Sequence, residues 1–184
     1  MTAWQLPTSC SFGGKAYKFH ADYRDILEIL QYLEDPDEPE YLRWRIAEAL
    51  FYTEPVPQVY EQQALEFLAS FIAGGQQEGA PGQKLIDWQT DAMTIVSDIN
   101  RVAGQEIRAL PFLHWWTFLS WFHSIGQGQL STIVGIRDKL RRGKKLEDWE
   151  KEFYRENKCR VDMKKRYSRE ELQQQERLRR LLGE

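Results

Sequence analysis

The sequence predicts a mainly α (α+β) fold: a helical bundle with a short N-terminal β-hairpin and a helical, basic C-terminal extension. Three observations predict it. Apolar residues recur at steps of three and four through most of the 184 residues, the spacing of buried helix faces. The one alternating stretch, Ser9 to Phe19, is folded back by Gly13-Gly14, a pair that supplies the positive φ angles of a two-residue turn. Charge is also unevenly spread. From Arg137 onward there are 17 Lys/Arg against 11 Asp/Glu, whereas residues 1–136 carry 8 against 17. We therefore expect an acidic body over 1–136 and a basic extension over 137–184, which could still form one folding unit.

The elements follow in order. Phe12 precedes the hairpin turn, and Tyr17 and Phe19 alternate after it. Asp22 is a good N-cap, and Tyr23, Ile26, Leu27, Leu30 and Leu33 give the stripe of a first helix that "EDPDEPE" ends near Glu34. A second helix is expected from about Pro39 to Phe51, with Leu42, Ile46, Ala49 and Leu50 inside. A third runs from about Gln58 to Gly74-Gly75. "GGQQEGAPGQ" reads as a loop, and a fourth helix covers about Gln83 to Val102, its apolar side made by Ile86 (or Leu85), Met93, Ile95, Val96, Ile99 and Val102, with Gly104 as its stop.

"ALPFLHWWTFLSWFHSIG", Ala109 to Gly126, is the most distinctive segment, and no charged side chain occurs from Ala109 to Ile136. A membrane span needs about 20 mostly apolar residues. Here His114, Thr117, Ser120 and His123 interrupt the run and Gly126 closes it. Phe112, Trp115, Trp116, Leu119 and Phe122 instead recur at helical spacing, so the segment reads as a core helix opened by Pro111. Three further helices are expected: Leu130 to Arg141, one in "KLEDWEKEFYRENKC", and one in "SREELQQQERLRRLL", where Ser168 and Glu171 spell a capping box. The last two are poor in apolar residues and suit projection or a partner chain.

Chemistry-bearing motifs are scarce. His114 and His123, nine residues apart, face opposite sides of a helix and cannot share a metal; no HExxH, paired CxxC, GxSxG, P-loop or GxGxxG occurs. We expect no metal, no cofactor and no catalytic residue. Asp87, Asp91 and Asp98 lie on one broad side of the fourth helix; Asp87 and Asp91, at i,i+4, could share a proton or hold Mg²⁺, but such spacing is more often a solvated face or a pair of contacts to basic groups. Arg24, in a first helical turn that disfavours cations, should be paired, with Asp87 or Asp91 as partner. Cys10 and Cys159 are expected to be free thiols, since the start lacks the basic-then-apolar pattern of a secretory leader. Glu147, Asp148, Glu150, Glu152 and Glu156 interrupt the basic clusters "RDKLRRGKK" and "KKRYSR", which weighs against a nucleic-acid surface.

Two motifs carry a resemblance. "FHADYR" supplies Asp22, Tyr23 and Arg24 behind Lys15 and Tyr17, and "LHWWTF" supplies Leu113, His114, Trp115, Trp116 and Phe118, with "GIRDK" some twenty residues on. In this order they resemble the gene-product-fifteen family of tailed bacteriophages and prophages, whose two helix aspartates match Asp87 and Asp91. "AGQEIRALPF" and the glycine-rich loop after Gly74 depart from the family pattern. The resemblance implies a tail morphogenesis protein of the bacterial host cytoplasm. Its expected role is that of a tail-assembly chaperone without enzymatic activity, binding the tape-measure protein, further copies of itself, and tail-tube subunits. It implies no active site. A virion adaptor of the tail or head-tail junction is the alternative, and a nucleic-acid-binding packaging protein is the alternative of another class.

Overall fold

A computed structural model describes residues 5–75, 84–163 and 167–182. The fold is mainly α-helical with one two-stranded antiparallel hairpin, as the patterning predicts. The chain divides into two compact units, residues 1–69 with 164–184, and residues 70–163. This boundary differs from the expected one at 136/137, because the first part of the basic stretch is built into the second unit.

In the first unit, β1 (Ser9–Phe12) pairs with β2 (Lys15–Lys18), with Cys10 opposite Tyr17. Gly13 and Gly14 have φ of 56° and 82°, and a Cβ on Gly13 would lie 1.9 Å from the Tyr60 hydroxyl, so a side chain there would be strained and would have to displace the tip of Tyr60. α1 (Tyr23–Leu33) begins at Asp22, whose carboxylate accepts the Arg24 amide, and ends at Glu34. Its fully buried residues are Tyr23, Ile26 and Ile29, one step round from the expected stripe; Leu27, Leu30 and Leu33 are half-buried.

α2 (Glu40–Phe51) packs against α1 but is rotated from the expected face. Ala47 and Phe51 point inward, whereas Ala49 and Leu50 are exposed. Phe51 sets this rotation by stacking on Phe19 at 4.6 Å between ring centroids. A 3-10 turn (Gln58–Tyr60) leads into α3 (Glu61–Ile72), and the Tyr52 hydroxyl donates to the Ala64 carbonyl at 2.9 Å.

The second unit holds the end of α3, α4 (Ala92–Ala103), a 3-10 turn (Ile107–Ala109), α5 (Trp115–His123), α6 (Gln129–Arg141), α7 (Asp148–Glu156) and α8 (Lys158–Val161). α4 starts later than expected because Asp87 folds residues 87–90 into a side-chain-capped turn, its Oδ1 accepting the amides of Gln89 and Thr90 at 3.0 and 2.8 Å. Met93, expected inside, is 68% exposed, while Ile95 and Ile99 are buried. Gly104 ends α4 in the left-handed conformation, as expected. α5 starts four residues after Pro111, which lies in a bend before it.

α7, expected to project or to meet a partner chain, packs within its own unit. Ile133, Ile136 and Val161 form a buried cluster onto which Leu146, Phe153 and Tyr154 pack. The final helix, α9 (Arg169–Leu182), belongs to the first unit and is fixed at its start. Ser168 and Glu171 form the expected capping box, and the Arg169 amide donates to Asp37 at 2.6 Å. The loop expected over 76–83, with the start of the fourth helix near Gln83, lies outside the described residues.

Candidate functional site

The motif residues separate into two groups. Lys15, Tyr17, Asp22, Tyr23 and Arg24 belong to the first unit. Tyr17 is buried against Phe12, and the Lys15 ammonium lies 4.7 Å from the Tyr17 ring centroid while pairing with Glu54 at 2.9 Å. Arg24 grips Asp22 with two hydrogen bonds, Nε to Oδ1 at 2.7 Å and Nη2 to Oδ2 at 3.0 Å, and lies across the Tyr23 ring. One carboxylate therefore caps α1 and neutralises the cation that enters its first turn. Glu54 raises the Lys15 ammonium, and Asp22 the Arg24 guanidinium, above their ordinary pKa values.

Asp91, one of the two acids expected to serve Arg24, is held by Arg137 instead. The two side chains are 2% and 4% exposed, and the guanidinium meets both carboxylate oxygens at 2.7 and 2.9 Å. Its remaining donors reach the carbonyls of Leu85 at 2.8 Å, Val161 at 2.8 Å and Arg160 at 2.7 Å. Five N–H groups thus meet five acceptors from three parts of the unit, the full capacity of an arginine. Asp91 also accepts the Asp87 amide at 2.9 Å, and Asp87 pairs with Lys84. The aspartates do contact basic groups, but the central cation is one that reads in sequence as the first residue of a solvated tail.

The LHWW residues act on two helix ends. His114 is buried and is the N-cap of α5, its Nδ1 accepting the Trp116 amide at 3.1 Å. The Trp115 and Trp116 indole N–H groups donate to the carbonyls of Ile72 and Phe71, each at 2.9 Å. These carbonyls belong to the last turn of α3, where backbone acceptors lack helical partners. Leu113, Trp115 and Phe118 are buried, Trp116 is half-buried over Gly75, and Phe112 is 54% exposed. The aromatic run is thus core on one side only. His123 ends α5 and is exposed.

Asp98 has a comparable task. Its Oδ2 accepts the Leu130 amide at 2.9 Å, at the start of α6. A Cβ on Gly128 would lie 2.7 Å from that oxygen, so the residue that would ordinarily cap α6 is a glycine that leaves room for a carboxylate from α4.

Among the described residues, no group of three or more His, Cys, Asp or Glu could hold a metal ion, and no helix is long and apolar enough to cross a membrane. Cys10 and Cys159 are free thiols. The class of protein that fold and geometry define is a mainly α-helical one with an N-terminal hairpin, whose motif residues stabilise helix ends and a buried ion pair. No family model, curated protein or solved structure matches the chain.

Proposed function

We propose that this chain is a bacteriophage tail morphogenesis protein. In this reading it is a tail-assembly chaperone that works without catalysis in the bacterial host cytoplasm, binding the tape-measure protein and further copies of itself. The motif resemblance suggests the family. The observation that carries the binding role is the exposure of α9: residues 169–180 are all exposed, Leu172 and Leu178 at 48% and 58%, with Arg177 and Arg179 on either side of Leu178 in sequence. A marginal helix with exposed leucines flanked by cations suits association with another chain better than life in water. Tail-tube subunits, which would displace the chaperone, are further candidate partners.

The charge pattern supports a protein partner over nucleic acid. Lys139 pairs with Glu150 at 2.7 Å, Arg142 with Asp138 at 2.9 Å, Lys151 with Asp148 at 2.7 Å, and Arg141 with Asp138. With Arg137 buried, little of "RDKLRRGKK" is left as uninterrupted positive charge of the kind phosphates select.

Co-expression with the tape-measure protein of the same phage or prophage tests the reading. The tape measure should stay soluble and be recovered with this chain on pull-down. An insoluble tape measure, with this chain absent from purified complexes, refutes it. Presence of the chain in purified virions supports the adaptor alternative, and tight, steeply salt-dependent DNA binding supports the packaging one.

A further inference from the structure

We infer that the cleft between α2 and the chain that follows it binds a primary ammonium group on a short alkyl arm, with the Glu48 carboxylate as acceptor. The inference goes beyond the chaperone reading and does not depend on it.

One wall comes from helical spacing. Arg45, Glu48, Ala49 and Tyr52 stand at i, i+3, i+4 and i+7, along one side of α2 and its C-cap. Residues 53–56 form the other wall. That loop is tied to the hairpin. The Thr53 amide and hydroxyl both donate to the Lys18 carbonyl, at 3.1 and 3.2 Å, and Glu54 pairs with Lys15 at 2.9 Å. The cleft is therefore preformed, and a ligand need not order it. Its volume is about 250 Å³. This is well above the roughly 30 Å³ share of one water and below the roughly 300–1,000 Å³ of sites for drug-sized ligands. It suits a single short arm.

The chemistry of the wall selects a cation. The Glu48 side chain is only 9% exposed. Among the described residues its one side-chain partner is Arg45, whose Nη1 reaches Oε2 at 3.1 Å. The same Nη1 lies closer to Glu61, at 2.7 Å, so Glu48 holds the weaker share of one guanidinium. Its Oε1 accepts no hydrogen bond among the described residues and is not sealed from the cleft. A carboxylate taken out of water wants both donors and counter-charge, and an ammonium brings the two together. Burial holds the Glu48 carboxyl above the ordinary glutamate range; Arg45 opposes this shift, and Glu61 adds to it. The ion pairs at the cleft join three carboxylates, Glu48, Glu54 and Glu61, to two cations, Arg45 and Lys15. An entering anion would meet a negative balance, whereas a cation completes it. Ala49, Pro55 and Val56 supply the apolar lining for the arm.

Titration of the isotope-labelled full-length chain with n-butylammonium, followed by amide chemical shifts, tests the site. Mildly alkaline pH keeps a raised glutamate ionised and a primary amine protonated. Shifts should move saturably at residues 45–56, with a Kd of about millimolar, a value within reach of so small a ligand. n-Butanol and butyrate, matched in length, should not bind. Glu48→Gln, shown to be folded by a urea melt, should weaken binding about tenfold or more, the worth of a hydrogen bond to a charged group. Ala49→Leu, at an exposed position, fills the cleft without touching the core and should abolish binding, so it carries the test if Glu48→Gln does not fold. Putrescine and N-acetyl-lysine methylamide distinguish the sources of the arm. Tighter binding of the first assigns the cleft to a free polyamine, and of the second to a lysine of a partner chain.

No saturable shift, shifts centred outside residues 45–56, butanol or butyrate binding as well as the amine, or wild-type affinity in Ala49→Leu or in folded Glu48→Gln each overturns the inference.

Discussion

Replacing Arg137 with methionine removes the cation and keeps much of the side-chain volume. Asp91 then stays 2% exposed with no counter-charge, and the carbonyls of Leu85, Arg160 and Val161 lose their donor. Breaking a buried pair from one side destabilises by about 3–5 kcal/mol, because the remaining charge cannot return to water. The buried Val161 carbonyl adds about 1–3 kcal/mol before relaxation and the part-buried Leu85 and Arg160 carbonyls less, though these losses overlap and do not sum. The lower figure alone removes a large part of the roughly 5–15 kcal/mol that holds a domain folded. We expect an apparent Tm lower by roughly 6–20 °C, at about 2–4 °C per kcal/mol for a chain of this size. Urea melts followed by tryptophan emission report on it, since Trp88, Trp115, Trp116 and Trp121 all lie in this unit. Adding Asp91→Leu to Arg137→Met should recover a substantial part of the loss, as removal of both charges usually does. A single substitution that shifts stability by less than about 1 kcal/mol, or a double variant worse than the sum of the singles, refutes the reasoning.

Trp115→Ala should cost about 3–5 kcal/mol in the same melts, as large core truncations do, and Trp116→Ala clearly less, because Trp116 is only half-buried; equal losses would contradict the one-sided packing of α5. Asp22→Ala should lose about 1 kcal/mol for the cap and leave Arg24 without the carboxylate it grips, so restoring the cap with Asn should recover less than all of it. Glu106 has its carboxyl lowered to about 2, chiefly by its bonds to Arg108. A depressed folded value means that its contribution is present above the unfolded glutamate pKa and is lost as pH falls through the folded one. The stability gap between wild type and Glu106→Gln should therefore be constant above about pH 5 and close toward pH 2, with urea midpoints across that range as the readout.

Legibility in the sequence followed the range of the interaction. α1 could be read almost to the residue, because Asp22 at its start and the "EDPDEPE" break at its end act within a few residues. The capping box of α9 is equally local. The start of α5 is not legible, because Pro111 is a common opener, whereas an imidazole accepting the amide two residues on lies outside the usual capping set. The rotation of α2 depends on Phe51 meeting Phe19, 32 positions earlier in the chain, and no periodicity within the helix encodes that. The motif residues could be found from sequence, but their partners could not. The Trp115 and Trp116 acceptors lie 43 and 45 residues away, and Asp91 lies 46 from Arg137. A charge count registers Arg137 as one more cation in a basic stretch. The sequence does carry one signal of its burial: Arg137 follows Ile133 and Ile136 on the apolar side of α6, where an arginine must be buried or the face must break.

The carboxylate that α4 lends to α6 bears on the order in which the chain acquires structure. A helix with its own serine or aspartate cap can flicker into existence alone, whereas α6 opens on a glycine and borrows Asp98 from 32 residues upstream. Its first turn therefore gains its cap only after α4 has formed and the intervening α5 has brought the two together. During synthesis, everything up to α5 would emerge with Asp98 still waiting. Closing a loop of that length carries an entropic penalty that only later contacts offset. In native-state hydrogen exchange the Leu130 amide should open together with the middle of α4, as one cooperative element, and not with the later turns of its own helix.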